Sequence, residues 1–409
     1  MVDFSPPVIS LRPLRTDTGQ DVHRTACVAQ IESSLRRFGC VFVPVSDLDG
    51  QEAGEDVLRR CYSTAERFYS LPEASKVTYT EDEATRRGYG GSCYTPLGKE
   101  PAYVEGEKQH VESFSCTRPL SREHCSHLHR GYKFHCNLFP DSDVPGFGDA
   151  HSSLWEALKD KVTLPFMSAL EAMLNLPDGF FLNKSTEKDS LNLSLLRSLH
   201  YPTRDQPLLE TNGQEHHPQT RVGISEHTDF EALTVMHQDS PGLWLRSPSA
   251  TSVWYQPPFQ LDVLTVILGD MMELWTAGWL EATPHKVVSP GPGQGPRKSL
   301  VLFQAHDDLV RIHALREDEL ARQHRACGAT AECEGQGAVK YQLRSRTKRR
   351  MLTAKQPGGK GLCPGSFVDW VLHRPETTLR KYIPTTQRAW VRKKEGKAKA
   401  TLLACEHGA

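Results

Sequence analysis

ISEHTDFEALTV, Ile224–Val235, mixes apolar and polar residues as a strand does and sets a histidine and an aspartate two positions apart. Side chains of extended chain repeat every two residues, so His227 and Asp229 are expected to leave one face with their tips close together. An imidazole and a carboxylate are thereby aimed at one point. Taken alone, such a pair is most simply a surface contact on a strand, and its meaning depends on what surrounds it.

From Leu193 onward the chain is a succession of short β-type runs. LSLLRSLHY (Leu193–Tyr201), GLWLRS, SVWYQ, DVLTVILGD, HKVVS and SLVLFQ are separated by Gly, Pro, Ser or Asp clusters, the pattern of a sandwich, barrel or jelly roll. SPGPGQGP (Ser289–Pro296) reads as a turn between two of these strands. Upstream, helical periodicity over 21–38 and 54–71 brackets an apolar strand run, CVFVPV (Cys40–Val45). RRGYGGSCYTPLGKEP (Arg86–Pro101) is loop-like, and a long helical pattern runs from Ser152 to Leu174. The reading is therefore α+β. It has a mixed N-terminal region over 1–150, a connecting helix region over 151–192, a β-rich catalytic unit over 193–325 and an extension over 326–409. No internal repeat is visible.

Composition bounds what the motif can belong to. A chain of 409 residues, 38% hydrophobic and 24% charged, can bury a large core. MVDFSPPVISLRPL at the start has no apolar core of signal-peptide length, and no run reaches the ~20 apolar residues of a membrane span. Eleven cysteines without CxxC pairing fit reduced thiols, so a cytosolic setting is expected. The net charge of −1 hides an asymmetry: Lys340–Ala409 carries 17 Lys/Arg against 4 Asp/Glu, a net of +13. YQLRSRTKRRM and VRKKEGKAKA are candidate nuclear-import, nucleic-acid or acidic-partner segments, although such runs are more often simply solvated.

A 2-His-1-carboxylate iron site needs one imidazole beyond His227 and Asp229. The downstream candidates are His237, His285, His306 and His313. His237, eight residues past Asp229, reads as part of the same strand and points elsewhere. His285 opens a new β run 56 residues beyond Asp229, far enough for the sheet to return beside the first strand. Twelve residues further on, Arg297 and Ser299 repeat the two-residue spacing at the start of another run. A guanidinium fork and a hydroxyl on one face make a carboxylate clamp. Their neighbours Lys286 and Lys298 fall on the other face.

In that order, HTD (His227–Asp229), GDMMELWTAGWLEATPHKVV (Gly269–Val288) and RKS (Arg297–Ser299) resemble the isopenicillin N synthase-like branch of the iron(II)- and 2-oxoglutarate-dependent oxygenases. LHYP (Leu199–Pro202), RRFGCVFV, AERFYSLPEASK and NLFPDSDVPGF extend the likeness over roughly residues 8–315. The resemblance implies a double-stranded β-helix (jelly-roll) core. It implies His227, Asp229 and His285 as iron(II) ligands, Arg297 and Ser299 as the clamp for the distal carboxylate of 2-oxoglutarate, and Tyr201 as a contact to the cosubstrate from the opposite side. It also implies consumption of dioxygen, conversion of 2-oxoglutarate to succinate and carbon dioxide, and oxidation of a small organic substrate.

Phe303 and Tyr103 are candidates for the substrate pocket. EHCSHLHRGYKFHC (Glu123–Cys136) is rich in His and Cys, yet its spacings match no closed zinc pattern. Gly269 and Asp270 read as turn formers leading toward His285. Two other readings fit the same residues: an iron oxidase of this fold that uses no 2-oxoglutarate, and a non-catalytic binding protein that recruits partners through its basic tail.

Overall fold

The computed structural model describes residues 4–15, 21–86, 92–100, 108–119, 137–181, 194–203, 222–248, 253–276 and 278–305. Tyr103, the His- and Cys-rich segment 123–136 and the basic extension lie outside the described residues.

Among the described residues, eleven strands build two antiparallel sheets. They are β1 (Cys40–Pro44), β2 (Ser92–Thr95), β3 (Glu112–Thr117), β4 (Leu195–Tyr201), β5 (Val222–His227), β6 (Leu233–Gln238), β7 (Leu243–Arg246), β8 (Trp254–Tyr255), β9 (Val263–Leu268), β10 (His285–Val288) and β11 (Arg297–Gln304). The larger sheet runs β1-β9-β6-β11-β4-β3-β2 and the smaller β5-β10-β7-β8. The two face each other as a jelly roll. Strands β1, β2 and β3 of the N-terminal region extend the larger sheet at both ends, so that region and the catalytic strands share one sheet.

Alternation along the larger sheet sorts its side chains into two cores. Val41, Val43, Leu196, Val235, Leu264 and Leu302 point outward, against the helices α1 (Asp21–Phe38), α2 (Gly54–Tyr69), Phe147–Leu158 and Leu164–Met173. Cys40, Phe42, Leu199, Met236, Ile267 and Val301 point inward, against Ile224, Leu243, Leu245 and Val287 of the smaller sheet. At the centre of the outer core Phe68 of α2 meets the rings of Tyr69, Tyr79, Tyr94, Phe114 and Phe147. Truncating a side chain so enclosed costs ~3–5 kcal/mol. Trp275 is buried, whereas Trp244 and Trp254 stand half-buried on the outer face of the smaller sheet, with Lys286 Nζ 4.5 Å from the Trp254 ring centre.

Three expectations are modified. The helical pattern of 152–174 is interrupted by a π-helical turn, Lys159–Thr163. Pro165 has no N–H to give the Lys161 carbonyl one turn back, and that carbonyl accepts instead from Arg15 Nη2 at 2.5 Å. Ile224–Val235 is not one strand: β5 stops at His227, and the chain turns a corner over 228–232 into β6 of the other sheet. The polar strands β2 and β3 lie within or beyond a stretch read as loop. Buried Glu112 on β3 is satisfied there by Lys76 Nζ at 2.9 Å, His200 Nδ1 at 2.8 Å and the Tyr94 hydroxyl.

Candidate active site

His227 ends β5 and His285 opens β10, and the two stand opposite each other in the antiparallel register. Their ring centres are 4.2 Å apart. Each Nδ1 faces a backbone carbonyl two residues earlier, Ser225 O at 2.8 Å and Thr283 O at 3.0 Å. Donation from Nδ1–H to those carbonyls leaves both Nε2 lone pairs aimed inward. Asp229 Oδ1 lies 3.6 Å from His227 Nε2 and 3.5 Å from His285 Nε2.

Asp229 thus reaches the histidines from the corner and not from the strand face that two-residue spacing predicts. The corner is held from beneath. Asp270 N donates to Asp229 O at 2.8 Å, and Gly269 N to Ala232 O at 3.1 Å. A Cβ at position 269 would stand 2.1 Å from the Glu231 carbonyl oxygen, so only glycine fits against the corner. Thr234 Oγ1 donates to Asp229 Oδ2 at 2.5 Å and fixes the carboxylate plane.

The electrostatics suit a cation at this point. Burial pushes His227 well below the usual imidazole range, with His285 adding to the effect, so His227 is neutral and able to ligate. Burial raises Asp229, opposed by His285 and by the Thr234 hydrogen bond. Ligand atoms of His227, Asp229 and His285 all lie within 4.8 Å of one another. Two imidazoles and one carboxylate form the donor set that non-haem iron(II) takes. Next to it Glu231, raised to about 7 by burial and then by Asp229, also faces the cavity.

The cavity between the sheets is lined by the triad and by Arg297, Ser299, Tyr201 and Phe303. Arg297 is 2% exposed. Its Nη2 donates to Gln238 Oε1 at 2.8 Å and its Nε to Ser240 O at 3.2 Å, while its Nη1 is buried with no hydrogen-bond partner among the described residues. A buried guanidinium with an orphaned N–H fits an anionic ligand. Gly242, at φ +148°, makes room for it: a Cβ there would come within 3.0 Å of Arg297 Cδ. Ser299 shares the inward face of β11. Tyr201 pairs with Arg297 in the β4–β11 register, its ring centre 4.8 Å from the guanidinium. It is therefore Arg297's neighbour in the sheet rather than a group facing it across a ligand. Burial raises the Tyr201 phenol, opposed by Arg297 and by the Ser299 hydroxyl.

His237 is on the outward face of β6, bonded to the Tyr62 hydroxyl and Leu261 O, away from the site. Sequence reasoning missed Thr234, Gln238, Glu231 and Arg197. Arg197 was accessible to it, because it lies four residues before Tyr201 on one strand and so shares its face.

The comparisons agree with this geometry. Residues 194–306 match the 2OG-Fe(II) oxygenase superfamily, and residues 6–141 match the family described as non-haem dioxygenase in morphine synthesis N-terminal. A 2-oxoglutarate-Fe(II) type oxidoreductase of Metarhizium majus is 25% identical over 272 residues, covering 64% of this chain and 72% of its own. Clavatol oxidase of Penicillium crustosum is 25% identical over 293 residues, covering 69% and 81%. A full-length Neurospora crassa protein, crystallised in complex with alpha-KG, superposes with a TM-score of 0.58 at 20% identity, over 78% of this chain and 93% of that one. The chain belongs to the 2OG-Fe(II) oxygenase superfamily. It is an iron(II)- and 2-oxoglutarate-dependent dioxygenase whose cosubstrates are 2-oxoglutarate and dioxygen.

Proposed function

We propose that His227, Asp229 and His285 hold the iron(II), and that Arg297, with Ser299 and Tyr201 beside it, receives the distal carboxylate of 2-oxoglutarate. A small organic substrate then takes the remainder of the cavity, next to Phe303. The observation that carries this reading is the pairing of two features in one cavity: three convergent donors, and a buried guanidinium whose Nη1 has no hydrogen-bond partner among the described residues.

Bound together, the metal and oxoacid supply the oxidising power for a dioxygen-dependent oxidation in which 2-oxoglutarate becomes succinate and carbon dioxide. The protein's part is placement. Three protein donors would leave room at the ion for non-protein ligands. The carbonyls of Ser225 and Thr283 hold the imidazoles in their ligating tautomer, and Thr234 keeps Asp229 from turning. Leu199, Ile224, Met236, Leu243 and Val287 wall the cavity with apolar surface, which strengthens each polar contact inside it. The catalytic unit is read as residues 193–325, within the cytosol. The basic extension after residue 325 is read as apart from the chemistry.

Anaerobic addition of iron(II) and 2-oxoglutarate should produce a visible metal-to-ligand charge-transfer band in the wild-type protein. Asp229→Ala, which removes the one anionic donor, should abolish it while circular dichroism stays native. A normal band from Asp229→Ala would refute the ligand assignment.

A further inference from the structure

Among the described residues two guanidinium groups face the cavity, and their surroundings differ. Arg297 has neutral partners, Gln238 and the Ser240 carbonyl. Arg197 sits further along the sheet, opposite Val301 of β11 and four residues from Tyr201 on β4. It is buried, and forked onto buried Glu100: Nη1 to Oε1 at 3.2 Å and Nη2 to Oε2 at 2.9 Å. Nη2 also donates to Ser113 Oγ at 2.6 Å. Two parallel N–H···O bonds fix the guanidinium plane and cancel its charge. Among the described residues the cavity lining beside it is apolar, Leu195, Leu199 and Phe303, or acidic, Glu231.

Each class of incoming molecule meets a different cost. A carboxylate would find Arg197 already neutralised and would have to displace Glu100, leaving that carboxylate buried without its guanidinium. It would also approach Glu231. An uncharged molecule avoids both penalties, laying its apolar part on Leu195, Leu199 and Phe303.

We infer that the Arg197–Glu100 pair makes the substrate end of this cavity select uncharged molecules over carboxylates, and that Arg197 and Glu100 are specificity-determining residues. This rests on the proposed metal and oxoacid site.

The test uses anaerobic full-length protein loaded with iron(II) and 2-oxoglutarate, its charge-transfer band recorded first. Two matched pairs are then titrated: phenylacetamide with phenylacetate, and hexanamide with hexanoate. Binding is read from paramagnetic relaxation of the probe protons by ligand-observed NMR. The amides should bind at least about tenfold more tightly than their acids. Glu100→Gln should give the acids about tenfold relative to the amides, and Glu100→Gln/Arg197→Gln should remove that gain. Where the single variant does not fold, the wild-type order and the double variant decide. Acids binding as well as amides, no probe binding at all, or an unchanged order in Glu100→Gln with its band intact would each overturn the inference. A missing band in wild-type protein defeats the site assignment and this inference together, and so is told apart from a failure of selectivity alone.

Discussion

Replacing Arg297 with Leu separates the oxoacid clamp from the metal. The guanidinium is 2% exposed and its two hydrogen-bond acceptors, Gln238 Oε1 and Ser240 O, are neutral. With 2-oxoglutarate bound, the distal carboxylate becomes its buried counter-ion. Removing one partner of such a pair costs ~3–5 kcal/mol, and each ~1.4 kcal/mol is tenfold in binding. Affinity for 2-oxoglutarate should therefore fall by roughly two to three powers of ten. The ligand-free fold should suffer less. Losing the donor to two acceptors costs ~1–3 kcal/mol each, but the variant no longer buries a cation beside neutral partners, which offsets several kcal/mol, on the order of the same sum. The assay is an anaerobic titration of the iron-loaded protein, followed by the charge-transfer band, with 2-oxoglutarate and with 2-oxobutyrate, which lacks the distal carboxylate. Wild type should prefer the longer acid strongly; Arg297→Leu should bring the two close together with iron affinity unchanged. If wild type does not distinguish the acids and the variant alters neither, Arg297 is not the clamp, and an oxidase that works without 2-oxoglutarate becomes the better account.

Other outcomes follow from the same contacts. Thr234→Val keeps the shape of the side chain but removes the hydrogen bond to Asp229, and iron affinity measured by chelator competition should drop about 10–100-fold. Gly269→Ala drives a methyl group into the Glu231 carbonyl, so thermal melts should show a loss of ~1–3 kcal/mol together with weakened iron binding. His151, buried and stacked on Phe147, is pushed down to about 4 by burial. The unfolded chain protonates this group below its ordinary value while the folded one does not, so stability is full above pH ~6.5 and should fall by ~3 kcal/mol as pH drops toward 4. Urea titrations across that interval should lose this part of their slope in His151→Leu.

Strand periodicity and motif order make much of the site legible in the sequence. Arg297 and Ser299 do share a face two residues apart, and Lys298 does alternate outward, toward Glu66 and Asp239. The larger-sheet runs between Leu195 and Gln304 form strands because their residues alternate between two apolar cores, and those of the smaller sheet because theirs alternate between core and surface. The polar strands β2 and β3 carry no such signal. SCYT and ESFSCT become strands only by pairing with each other, by the pairing of ESFSCT with β4, and through partners as distant as Lys76 and His200.

His227 and Asp229 show where local reading ends. Their residue types and order, together with His285 and the downstream arginine and serine, name the chemistry from sequence alone. A common strand face, the convergence that two-residue spacing predicts, does not describe the molecule, because the strand stops at His227. What brings the two together is a corner between two sheets, wedged on Gly269, and a register that sets His285 across from His227. Such a corner depends on contacts between segments far apart in the chain, which no short window of sequence contains. The same holds for Arg197: alternation could place it on the cavity face, but its charge is cancelled by Glu100, 97 residues away, and that contact exists only once the chain has folded.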